Sequence, residues 1–241
     1  MSASEAIREA LEAQGDPERA VGEKMYLKSE LVHWGCGMPV IRKVARAQLK
    51  GLSDAEVVET AEALWVEPVH ECRTAAVIGL SRRAKKLDPA VIPLVERMIR
   101  EAKTWALVDP LSTDVMGAIA TRHDVGDTLD RWAEDEDFWI RRASMLTLLR
   151  PLRAGEGDWA RFTRYADAML EEKEFFIRKA IGWILRDASK KTPERVDAWI
   201  APRTHRASGV TMREVVKYLP PGRAEALMAA YKAKRPESAD A

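Results

Sequence analysis

Residues 176–190 read FIRKAIGWILRDASK, and the register of their apolar side chains decides what kind of fold the chain builds. At about 100° per residue, Ile177, Ala180, Ile181, Ile184 and Leu185 gather between about 40° and 180° from Phe176, which makes an amphipathic helix with one core-facing stripe. Lys179, Trp183, Arg186 and Lys190 fall between about 280° and 340°, beside that stripe. Trp183 can be a boundary ring packing on its neighbours. It can equally be an aromatic face set among cations that hold phosphates, as nucleic-acid sites often use.

The motif recurs. VIRKVAR at 40–46 and WIRRASM at 139–145 resemble FIRKAIG at 176–182, and ECRTAAV at 71–77 and TMREVVK at 211–217 are looser copies. Their first basic residues are Arg42, Arg73, Arg141, Arg178 and Arg213, spaced 31, 68, 37 and 35 apart, and 68 is two repeats of 34. Strand signals are nearly absent. Turn signals such as GDPE, GLSD, KLDP, RAGEGD and KTPE punctuate helix-length segments. A period near 35 in an all-helical chain predicts an all-α fold, an α-solenoid of HEAT-like helix-pair repeats. It is expected to form one domain over residues 1–232, curved with a basic concave face, followed by a disordered tail at 233–241.

One repeat is irregular. The slot near position 107, where a basic residue is due, holds TWALVDPL at 104–111, with Trp105 and Asp109 four apart and Pro110 directly after the acid. Either a helix begins late there, with Asp109 near its N-cap and Pro110 at the first helical position, or the helix kinks at the proline. In FWIRRASMLTLL, Arg142 projects on the side of Trp139, Leu146 and Leu149, so its guanidinium is partly desolvated and needs a partner. That partner is a carboxylate of the chain or a phosphate gripped in bidentate fashion.

The bulk numbers narrow the function. Thirty-nine basic and 38 acidic residues give a net charge of +1, so a polyanion would have to be met by a segregated basic face. Eight Trp against four Phe and four Tyr favours flat rings at a ligand. No apolar run approaches the roughly 20 residues of a membrane span, and the N-terminus lacks the charged and apolar regions of a signal peptide. Two cysteines, Cys36 and Cys72, fit a reducing compartment, so a cytoplasmic protein is expected. The four histidines form no metal-ligand pattern: HECRT lacks the second His of a zinc-protease helix, and His33 and Cys36 stand three apart with no second pair. Gly-x-Gly-x-x-Gly, P-loop and Gly-x-Ser-x-Gly motifs are missing. No cofactor and no metal are expected. An enzyme built from these residues would work with a carboxylate and aromatic rings.

Over roughly residues 20–220 the chain resembles the AlkD-type DNA alkylation-repair proteins, a family of HEAT-like DNA glycosylases. The resemblance rests on KMYLKSEL, GMP and RK near the start, ALWVEPVHECRTAAV, TWALVD, FWIRRASML and, most specifically, EFFIRKAIGWILRDASK. It implies excision of cationic alkylated bases, of the N3-methyladenine and N7-methylguanine type, from duplex DNA. It further implies no metal or cofactor, no pocket for a flipped base, no membrane partner, and a monomer found at the nucleoid when bound. The catalytic residues it implies are Asp109, Trp105 and Trp183. The DNA contacts it implies are Tyr26 and Arg142, to which the basic helices add Arg42, Lys43, Lys179, Arg186 and Lys190. Ala106 departs from the acid often found after the first Trp in that family, and Pro110 is also unusual. If the recurrent Arg faces DNA, Asp109 is the one acid in a cationic row. The alternatives are a non-catalytic relative binding damaged or branched DNA by shape, and a scaffold for a protein partner.

Overall fold

In the computed structural model, residues 1–233 are described. The tail expected at 233–241 lies outside them except for Ala233, the last residue of a helix. Among the described residues the structure is helical, with one isolated parallel bridge between Val32 and Val69 in place of any strand. No helix among them is long and apolar enough to cross a membrane. Within the span expected to be one repeat domain, the chain packs as two compact units, Met1–Asp124 and Val125 onward.

The first unit holds α1 (Ala3–Glu12), α2 (Pro17–Leu27), α3 (Met38–Gln48), α4 (Asp54–Val66), α5 (His70–Arg83), α6 (Ile92–Ala102), α7 (Trp105–Pro110) and α8 (Gly117–Ala120). A π-helical stretch, Leu111–Met116, joins the last two. Local chemistry sets the starts. Ser2 with Glu5, and Ser53 with Glu56, form reciprocal capping boxes on α1 and α4. Proline opens α2, and Asp16 caps it by accepting from Glu18 and Arg19. Trp65, Leu64, Leu80, Ile99 and Val108 are fully buried, each apolar side chain of this size contributing about 1.5–3 kcal/mol.

The second unit holds α9 (Gly126–Ala133), α10 (Phe138–Thr147), α11 (Leu149–Arg153), α12 (Trp159–Met169), α13 (Phe175–Ala188), α14 (Pro193–Ile200), α15 (Gly209–Val215) and α16 (Pro221–Ala233). The helices that carry the repeated motif pack on one another: α3 on α5 and α5 on α7 in the first unit, α10 on α13 and α13 on α15 in the second. Within each unit, neighbouring copies of the motif are therefore neighbours in space. All five residues assigned to the core face of α13 are buried. Its approach to α15 depends on Gly182, where a Cβ would lie 2.8 Å from Glu214 Cβ.

The recurrent arginine has a structural task. Arg73 donates to the Glu67 carbonyl, Arg141 to the Asp135 carbonyl and Arg178 to the Glu172 carbonyl, each six residues back in the turn before its own helix. Arg73 also donates to the Glu101 carbonyl, and Arg141 pairs with the Glu172 carboxylate. These guanidiniums satisfy carbonyls that a turn leaves without a helical partner. Arg73, Arg141 and Arg178 thus each hold the turn before their own helix.

Candidate nucleic-acid interface

α7 begins at Trp105. Thr104 is its N-cap, buried and extended, its hydroxyl accepting from the Ala106 N–H. Asp109 therefore lies one turn inside the helix, and the late start with Asp109 near the cap is overturned. Pro110 has helical φ and ψ (−68°, −32°) but brings no N–H, and the chain proceeds directly into the π-helical stretch. In the wider turn Ser112 Oγ donates to the Val108 carbonyl at 2.7 Å. The late cap does not occur. The helix stays continuous by widening, and π turns of this kind are frequent at functional sites.

Trp105 and Asp109 are half-buried, one helical turn apart. Tyr26 of α2, 73% exposed, meets Trp105 edge-to-face with ring centroids 6.1 Å apart. Ala106 and Pro110, next in register to the Trp–Asp pair, line a cleft of about 700 Å³ between α3, α5 and α7. Arg42, Lys43, Arg46 and Arg82 also line it. All four are exposed, and none has an ion pair among the described residues. Asp114 is the one carboxylate in the lining. A wall of cations around an apolar floor attracts a polyanion by charge alone. Arg46 and Arg82 are additions to the residues expected from sequence. Arg46 was legible as the third basic residue of VIRKVAR, one turn beyond Arg42; Arg82 carries no such signal.

In the second unit the basic stripe of α13 is present but largely paired. Asp187, buried, accepts from Trp183 Nε1 at 3.1 Å and from Arg153, and pairs with Arg186 and with Lys190 at 3.1 Å. Glu214, also buried, pairs with Lys179 at 2.6 Å, with Arg186 and with Lys217 at 2.8 Å. Lys190 also lies 4.6 Å over the Tyr218 ring. Burial by itself would raise the Glu214 pKa. Hydrogen bonds from Lys179 and Lys217, with the charges of Lys179 and Arg186, outweigh it and hold the carboxyl at about 2. Asp187 is lowered in the same way, burial being outweighed by Lys190, Arg153 and Arg186. Five cations share two anions here, so the cluster stays positive while each member is oriented. Asp187 and Glu214 were not among the residues expected from sequence, since an acid beside a base on a helix ordinarily reads as solvated surface.

Trp183 is half-buried, its ring plane set by the bond to Asp187. Arg142 is 2% exposed, donates to the Phe176 carbonyl of α13 and lies 5.9 Å from the Phe176 ring centroid. The carbonyl and ring of the neighbouring α13 are thus among its contacts. Cys36 and Cys72 are free and buried, their thiols pushed up by burial to about 11 and about 12, so neither is poised as a nucleophile.

No curated protein matches the chain significantly. Among solved structures it is similar to a predicted DNA alkylation repair enzyme from Enterococcus faecalis, at 22% identity and a TM-score of 0.75 over 86% of this chain and 97% of that one. It is also similar to AlkD2 from Streptococcus mutans, at 17% identity and a TM-score of 0.59 over 76% and 91%. At these identities the likeness establishes the all-helical fold. The family described as DNA alkylation repair enzyme matches residues 7–219, nearly the whole of both units. The chain belongs to the DNA alkylation repair enzyme family.

Proposed function

We propose that this protein is a monofunctional DNA N-glycosylase that releases cationic alkylated bases from duplex DNA. The observation that carries the proposal is Asp109, held one turn from Trp105 beside a cleft rimmed by four unpaired cations. An acid beside a surface that attracts phosphates sets a negative charge next to the sugar, where positive charge develops as the base departs.

N-alkylation makes the base a cation and hence a good leaving group, so no general acid is required. The C1′–N bond breaks with its electron pair departing on the base, which becomes neutral while positive charge grows on the sugar. Asp109 stabilises that charge and orients a water that adds at C1′, a proton being released as the new C–O bond forms. The faces of Trp105 and Trp183 contribute cation–π attraction of about 0.5–2 kcal/mol each. Arg42 and Lys43 hold the backbone, and Tyr26 makes a further contact. Lys179, Arg186 and Lys190 form a positive, pre-oriented surface for the same substrate. Arg142 is assigned a positioning role, because it is buried and tied to α13. Selectivity comes from the lability of the lesion.

The test is incubation with methylated duplex DNA and identification of the free bases. Asp109→Asn is expected to lower release by about 10²–10³-fold while binding to the duplex is retained. Undiminished release by that variant would sink the assignment.

A further inference from the structure

Three residues that the proposed reaction does not use converge in the first unit. Glu23 projects from α2, His33 stands in the loop between α2 and α3, and Glu71 lies in the first turn of α5. One ligand-type atom from each lies within 4.8 Å of the others. The His33 side chain is 1% exposed, and neither of its ring nitrogens has a hydrogen-bond partner among the described residues. Its Nδ1 is 3.9 Å from Glu23 Oε2, an oxygen that is also buried without a hydrogen-bond partner. A neutral imidazole ordinarily spends at least one nitrogen on a partner when buried.

The surroundings are built. Backbone N–H groups of Trp34, Gly35 and Cys36 all donate to the Glu71 carboxylate, at 2.6–3.1 Å. Gly35 reaches it only with φ +83°, where a Cβ would lie 2.0 Å from the Asp16 carbonyl oxygen. Arg19 holds the other oxygen of Glu23, and His70 stacks on His33 at 4.5 Å, fixing its plane. Such outer contacts orient first ligands in metal sites.

We propose that Glu23, His33 and Glu71 bind a divalent transition-metal ion of the zinc class. One imidazole with two carboxylates suits such an ion, whereas magnesium or calcium would be held by oxygens alone. Bonds of about 2.0–2.2 Å require the ligand atoms to draw together. Glu23, whose side chain is 22% exposed on a helix that buries none of its own residues, has the freedom to close. The ion staples α2 to the loop and to α5, and Tyr26 lies three residues beyond Glu23. The proposal is independent of the glycosylase reading.

The experiment uses the full chain stripped with a chelator and titrated calorimetrically with Zn²⁺, with Mg²⁺ as control and Co²⁺ as an optical probe. One Zn²⁺ per chain is expected, with visible Co²⁺ absorption displaced by Zn²⁺ and no response to Mg²⁺. Glu23→Gln, at a partly exposed position, is expected to keep the fold and weaken binding at least about tenfold. His33→Ala, with its helicity checked by circular dichroism, should lose the Co²⁺ spectrum. Absence of stoichiometric binding by the parent, or unchanged affinity in Glu23→Gln, overturns the assignment.

Discussion

Asp109 and Pro110 are consecutive, and their consequences are opposite. Asp109 occupies a regular helical position one turn after Trp105, which aims both side chains to the same side. Pro110 removes a donor directly after it, and the chain answers with a π-helical stretch instead of a break. Pro110→Ala restores the N–H and allows an ordinary α-turn. The variant is expected to be at least as stable in thermal unfolding, since an interior proline costs a helix about 3 kcal/mol. Release of methylated bases is expected to fall about tenfold or more, because small displacements of a stabilising group cost rate steeply. Full activity in a variant whose helix has regularised would mean that the π turn does not aim Asp109.

At the scale of elements, α13 shows how one helix serves core and charge together. Gly182 lets α15 approach so closely that Glu214 reaches Lys179 and Arg186 on the neighbouring turns. In Gly182→Ala the new Cβ meets Glu214 Cβ and the Thr211 backbone, so the two helices must part. A loss of about 1–3 kcal/mol is expected, lowering Tm by roughly 2–4 °C per kcal/mol for a chain of this size. Calorimetry or circular dichroism against temperature checks this. The basic residues of α3 and α10 divide differently. Arg42→Ala is expected to reduce the salt dependence of log K for duplex DNA by about 1 while leaving Tm alone. Arg142→Ala is expected to do the reverse: a partly buried carbonyl loses a donor, Tm falls, and the slope is unchanged. A reduced slope in Arg142→Ala would return that residue to the phosphate contacts.

For the whole molecule, pH gives the readout. Glu214 has a folded pKa of about 2 against an ordinary value of 4.5, so its contribution is complete above about 4.5 and is lost as pH falls towards 2. Linkage makes that contribution roughly 3 kcal/mol, and Asp187 shifts in the same direction. Unfolding followed between pH 6 and pH 2 should therefore show stability falling below about pH 4.5, with Glu214→Gln starting lower and showing a shallower fall. A parallel profile in that variant would refute the assignment. Much of this architecture was legible beforehand. Ile177, Ala180, Ile181, Ile184 and Leu185 announce a buried face by their spacing alone, and the recurring IRK-type segments mark the helices that stack. Those signals are local, since helical periodicity is written within a few turns. Which cations remain free was not legible, because the partner lies a whole repeat away: Lys179 meets Glu214 35 residues on, and Arg153 meets Asp187 34 residues on. The same holds for Glu23, His33 and Glu71, which no spacing rule connects. By itself, then, the sequence determined the helices, their buried faces, the repeat and the family. Tertiary structure alone decided where α7 begins, which charges are consumed and which unpaired groups converge, since these depend on packing between segments distant along the chain.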